Sequence, residues 1–140
     1  MKLSRLYLAD ETAWLEQMSQ LIRERRFDKI DAQNLSEYLQ DMAKRDRREV
    51  ASHLTVLLVH LLKWECQPRK RSRSWQVTLL AQRQDMQDIL DSKTLRNHAL
   101  EILARCYAKA VKRAAAETGL AESKFPSECP WTLDEILSDE

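Results

Sequence analysis

One glycine, Gly119, and three prolines occur in the 140 residues of this chain. Average usage would supply about ten glycines and about seven prolines. Tight β-turns draw on glycine for positive φ, so a sheet built from hairpins is hard to make from this sequence. Leucine and alanine are abundant instead, at 21 and 14 residues, and both favour helix. The expected fold class is all-α, and apolar spacing places the helices.

Trp14, Met18, Leu21 and Ile22 share one face of a helix over about Asp10 to Arg26, with Asp10 or Thr12 as its cap. Asp31 is placed to cap a second helix, in which Leu35, Leu39 and Met42 recur every three or four residues. A third, about Asp46 to Cys66, carries Val50, Leu54, Leu57, Leu58, Leu61 and Leu62, with Val56 and Val59 on its other sides. Being apolar nearly all round, it is expected at the centre of the bundle. Pro68 stops it, and Ser72 or Ser74 caps a fourth helix to about Leu90, with Trp75, Leu79, Met86 and Ile89 inward. A fifth begins near Ser92. Gly119 sits where that helix needs a left-handed residue to end on, followed by Leu120 to pack back on the last turn. Pro126 and Pro130 then make an extended crossing, and Thr132 with Glu135 has capping-box spacing. The expectation is one helical domain over residues 1–140, a bundle of about five helices with a long central apolar helix and a short C-terminal one.

Lys plus Arg total 23 against 22 acidic residues, a net charge of +1, so only local clusters argue for an anionic partner. The longest apolar run, LTVLLVHLL, is nine residues, against the roughly 20 of a spanning helix. The start MKLSRLYLADETAW lacks a signal peptide's apolar region. Cys66, Cys106 and Cys129 show no paired spacing and read as free thiols of a reducing cytoplasm. These features point to a cytoplasmic protein with no membrane partner.

The sharpest local feature runs from Lys63 to Arg83, with six basic residues and one acidic, Trp64 and Trp75 bracketing the turn RKRSR. Its cations suit phosphates and its aromatic rings suit bases. Trp64, Gln67, Arg69, Lys70, Arg71, Arg73 and Trp75 are therefore the candidate binding residues. A structural account competes with this one. The end of a long helix attracts cations by itself, and Glu128, Asp134, Glu135, Asp139 and Glu140 give the last 13 residues a charge of −5 for internal pairing. A second cluster, Lys44, Arg45, Asp46, Arg47 and Arg48, is expected at the junction of the second and third helices.

Candidates for chemistry are sparse. His53 and His60 are seven residues apart, about 10.5 Å along a helix, whereas helical zinc pairs sit four apart. His98 with Asp41 or Asp46 could complete a set only if the fold brings them together. Cys66 is the one thiol beside the basic turn, where nearby cations lower a thiol's pKa, but a buried structural cysteine is the expected reading. There is no Gly-x-Ser-x-Gly elbow or phosphate loop. No catalytic residue, metal ligand or cofactor is assigned.

Together Trp14 and Gln17 with LIRERRF, IDAQNLSEYLQDM, HLLKWECQPRKRSRSW, Gln82-Arg83, Leu95-Arg96, ETGL and FPSECP resemble the bacterial, mostly cyanobacterial, family known as domain of unknown function 29. The match runs from Trp14 to Leu137. Tyr38 and Cys66 depart from the family's pattern, since an acidic residue is usual at the first position and an aromatic or aliphatic one at the second. The resemblance implies an all-helical, single-domain bacterial protein and carries over no reaction, cofactor or catalytic residue. The expected function is a non-enzymatic helical binding or interaction module that engages a protein partner or a second copy of itself. The alternatives are nucleic-acid binding through the turn 69–73 and a helical metal-dependent hydrolase or nuclease using His53, His60 or His98.

Overall fold

A computed structural model of the chain describes residues 2–138. Among these residues there are six α-helices and no strand. They are α1 (Leu3–Ala9), α2 (Glu11–Arg23), α3 (Ala32–Cys66), α4 (Arg73–Ile89), α5 (Lys93–Thr118) and α6 (Leu133–Leu137). Short 3-10 turns occupy Phe27–Lys29, Pro68–Lys70 and Glu122–Lys124. The chain divides into two compact units, Met1–Arg45 and Asp46–Glu140, and α3 contributes its first turns to one and the remainder to the other.

Two helix starts differ from the sequence reading. The expected second and third helices are one 35-residue helix, α3, and the cluster Lys44–Arg48 lies inside it. Asp46 resembles a cap, yet no glycine or proline lies nearby to break the helix, and extending a helix costs far less than nucleating another. The additional helix is α1, seven residues at the N-terminus. Leu39, expected on the apolar face, is 58% exposed.

In the first unit α1, α2 and the start of α3 close around Trp14, which is fully buried. Tyr7 meets its ring edge-on at 4.6 Å between centroids and Tyr38 packs at 5.9 Å. Its indole N–H donates to Asp31 Oδ2 at 3.2 Å, so the ring's polar atom is satisfied where the chain turns into α3. Asp10 caps α2 by accepting from the Ala13 N–H. The other end of α2 closes with Arg26 N–H bonded to Leu21 O and Arg25 N–H to Ile22 O. That is a Schellman arrangement, which needs a left-handed residue, and Arg25 supplies it at φ 58°.

In the second unit α3 and α4 run antiparallel: His53 meets Gln82 at one level and Lys63 lies over Trp75 at the other. α5 returns parallel to α3, with Cys106 against Ala51 and Lys63 against Glu117. Leu54, Leu57, Leu58, Leu62, Met86 and Ile136 are fully buried between these helices and α6. The buried alanines Ala99, Ala110 and Ala114 line the inner face of α5. Ser72 and Ser92 cap α4 and α5, and Thr132 with Glu135 closes a complete capping box on α6. Arg83 Nε and Gln87 Nε2 donate to the Ile136 and Leu137 carbonyls at 3.0 and 2.7 Å, satisfying groups that the end of α6 leaves open. Tyr107 lies on α5 and its hydroxyl donates to Pro126 O at 2.6 Å, anchoring the extended crossing.

Gly119 ends α5 at φ 75°, its N–H bonded to Ala115 O. A Cβ there would meet nothing within 4 Å, so substitution costs only backbone conformation. Gly119→Ala should lower unfolding free energy by about 1–2 kcal/mol. Arg25→Gly, which relieves the same kind of strain, should change it with the opposite sign. Urea midpoints of the two variants against the parent measure both effects.

Candidate functional site

The junction of α3 and α4 is built around Arg71. Its Nε donates to Trp64 O at 2.7 Å, satisfying a carbonyl in the last turn of α3, and its guanidinium carbon lies 4.7 Å from the Trp64 ring centroid. One candidate cation is thus a helix cap and a ring cover at once. Lys63 does similar service for the second tryptophan. Its Nζ stands 5.3 Å from the Trp75 ring centroid while also bonding Glu117 Oε2 at 3.3 Å. Trp64 and Trp75 are both half-buried. Each ring therefore has a face occupied by a cation of the chain itself, which disfavours these rings as platforms for bases.

Arg69, Lys70 and Arg73 are exposed and make no ion pair with any described residue. Gln67 precedes them, half-buried, its N–H held by Lys63 O. The acidic segment expected to neutralise the turn does not do so among the described residues. Asp134 pairs with Arg96, and Glu135 accepts from the Thr132 N–H inside the capping box. Asp139 and Glu140 lie outside the described residues. Beside the turn, Leu61, Trp64, Gln76, Arg83, Trp131 and Glu135 help line a cleft of about 670 Å³.

The histidines do not assemble with carboxylates. His53 Nδ1 faces Gln82 Oε1 at 3.4 Å. Burial pushes the His60 pKa down, and the Lys63 and Arg113 charges add to that effect against an opposing Glu117. Among the described residues no three His, Cys, Asp or Glu side chains meet as a metal site. The Cys66 thiol is not activated by the turn, because burial and then Glu65 push its pKa up. Its distance in sequence from the cations misleads, since Arg71 is committed to Trp64 and the other three point to solvent.

A second basic surface, not visible as a cluster along the chain, lies between α3 and α5. Arg48 on α3 and Arg105, Lys109, Lys112 and Arg113 on α5 line one cleft of about 510 Å³. The signal lay in the spacing 105, 109, 112, 113, which puts four cations on one helical stripe. It is diluted in the sequence by the buried Cys106, Tyr107 and Ala110 between them.

The family model described as Domain of unknown function DUF29 matches residues 6–140. The chain belongs to this family. No curated protein and no solved structure matches it significantly. In this DUF29 chain the segments that carry the resemblance have visible structural duties: Trp14 fills the first core, Gln82 and Arg83 hold His53 and α6, and Gly119 ends α5. Phe125 is buried and the following Pro126 receives Tyr107. In the WECQPRKRSRSW block the cations Arg69, Lys70 and Arg73 are exposed and make no ion pair or side-chain hydrogen bond among the described residues, whereas Arg71 is bonded to Trp64 O. No described helix is long and apolar enough to cross a membrane.

Proposed function

We propose that this DUF29 protein is a small non-enzymatic binding module that engages an anionic macromolecular partner, with the turn after α3 as one contact. The observation that carries this reading is the separation of duties at the turn. Arg71 is spent on Trp64 and the end of α3, whereas Arg69, Lys70 and Arg73 are displayed without a described acidic partner. A turn pinned at its centre presents its outer cations with less ordering to be lost on binding. The three free cysteines, two with pKa raised by burial, suit work in a reducing cytoplasm. The covered rings of Trp64 and Trp75 argue for charge recognition over base stacking at this contact.

Heparin, a generic polyanion, supplies the test. Replacing Arg69, Lys70 and Arg73 together by glutamine should bring elution from a heparin column to clearly lower salt. A control of equal charge change, Lys2, Arg5 and Lys29 to glutamine, should shift it much less. Equal shifts would mean that net charge alone governs retention, and the turn would lose its role.

A further inference from the structure

The cleft between α3 and α5 is a different surface from the turn. Arg48 begins it, 18 residues before Cys66 and so about 27 Å along α3 from that end. The lining of the cleft shares no residue with the turn. α5 contributes Arg105, Lys109, Lys112 and Arg113, exposed along one stripe of about 12 Å. None of these five cations makes an ion pair with a described residue, and no acidic side chain lines the cleft. Glu117, one turn beyond Arg113, is engaged by Lys63. In a chain whose net charge is only +1, five unpaired cations in one concavity are a local excess without an internal purpose.

The floor says which anion suits it. Ala51, Thr55 and Cys106 form the base, with the Thr55 hydroxyl turned to Ala51 O and the Cys106 thiol close to the same carbonyl. There is no aromatic ring in the lining and no large apolar side chain. A single strand would find nothing to stack on, and a peptide would find no pocket for an apolar anchor. What remains is a cationic cleft with the exposed Ser52 hydroxyl as a neutral donor. A stripe of about 12 Å matches the axial rise of three to four phosphates on one strand of a duplex.

We infer that the α3–α5 cleft binds the phosphate backbone of a double-stranded nucleic acid, without reading its sequence, through Arg48, Arg105, Lys109, Lys112 and Arg113. This rests on the reading of the protein as a binder of anionic macromolecules but assigns the contact to another surface. Such contacts position a protein on the duplex and leave the bases unread.

The test is fluorescence anisotropy with a labelled duplex of about 20 base pairs, two helical turns, from about 50 to about 200 mM salt. The full chain is compared with a cleft variant (Arg105, Lys109, Lys112 and Arg113 to Gln) and with the turn variant (Arg69, Lys70 and Arg73 to Gln). The cleft variant should lose affinity by about 100-fold at the upper salt and lower the slope of log affinity against log salt by about 3–4. The turn variant should change by only a few-fold, and a scrambled duplex should bind like the first. Helicity by circular dichroism checks that the cleft variant is folded; should it not be, Arg48→Gln with Lys109→Gln gives a smaller loss of the same kind. Several results overturn the inference: no duplex binding at low salt, equal losses in the two variants, or polyglutamate competing as well as duplex. Heparin retention that falls in the turn variant while no duplex binds would leave the proposed function standing and remove this site alone.

Discussion

Trp14→Ala should destabilise the first unit by about 3–5 kcal/mol, the usual cost of removing a fully buried tryptophan. Three losses combine. The ring volume between α1, α2 and α3 empties, the edge-on contact with Tyr7 and the tilted contact with Tyr38 vanish, and Asp31 loses its indole donor. Met18, the other buried side chain of α2, cannot fill such a space. Trp14 is the only one of four tryptophans in the Met1–Arg45 unit. In the variant, loss of helicity in urea should therefore begin well before the fluorescence of Trp64, Trp75 and Trp131 changes. Unshifted, coincident transitions would contradict the placement of Trp14 at the centre of a core of its own.

The second large effect is alkaline. Burial first, and then the neighbouring Cys129 and Cys66, push the Tyr107 pKa from its ordinary 10 up to about 12. The folded state thus favours the neutral phenol, whose proton is donated to Pro126 O at 2.6 Å. Because the folded pKa lies above the unfolded one, this stabilisation is complete below pH 10 and drains away as pH rises towards 12. A shift of this size corresponds to stability on the order of 3 kcal/mol. Tyr107→Phe should be less stable than the parent at pH 8, since Pro126 O is left without its donor, by about 1–3 kcal/mol. The two should converge near the upper end of that range. Burial also raises the Cys66 and Cys129 pKa values, so both proteins share a further alkaline loss, made somewhat larger in the parent by repulsion between these groups and Tyr107. Urea midpoints of the pair at several pH values supply the measurement, and a gap that stays constant would contradict the role given to Tyr107.

Helix ends that are closed by a side chain or by glycine were legible in the sequence. Asp10, Ser72, Ser92, Gly119 and the Thr132–Glu135 box all stand where their chemistry places them. What escaped were boundaries without such a marker. Asp46 looks like a cap but sits inside α3, because its neighbours are good helix formers and nothing interrupts them. Arg25 ends α2 in a conformation usually left to glycine, so nothing in the sequence marks the stop before Arg26. α1 is too short for periodicity to reveal.

The candidate site divides in the same way. Proximity along the chain made RKRSR visible as a cluster, but it could not show that Arg71 turns back onto Trp64 while its neighbours face out. The α3–α5 cleft draws Arg48 from one helix and its other cations from another more than 50 residues later. Helical spacing hinted at the stripe on α5. Only the parallel packing of α3 and α5, read from Ala51 with Cys106 and Lys63 with Glu117, joins Arg48 to it.

The most direct measurement of the central claim, that this chain binds an anionic macromolecule through displayed cations, is the salt dependence of its affinity for a heparin fragment. Affinity that falls steeply and linearly in log–log form as salt rises is the expected result, with several cations engaged at once. Binding indifferent to salt, or absent even at low ionic strength, would contradict the claim and leave both basic surfaces as solvated faces of the helices that carry them.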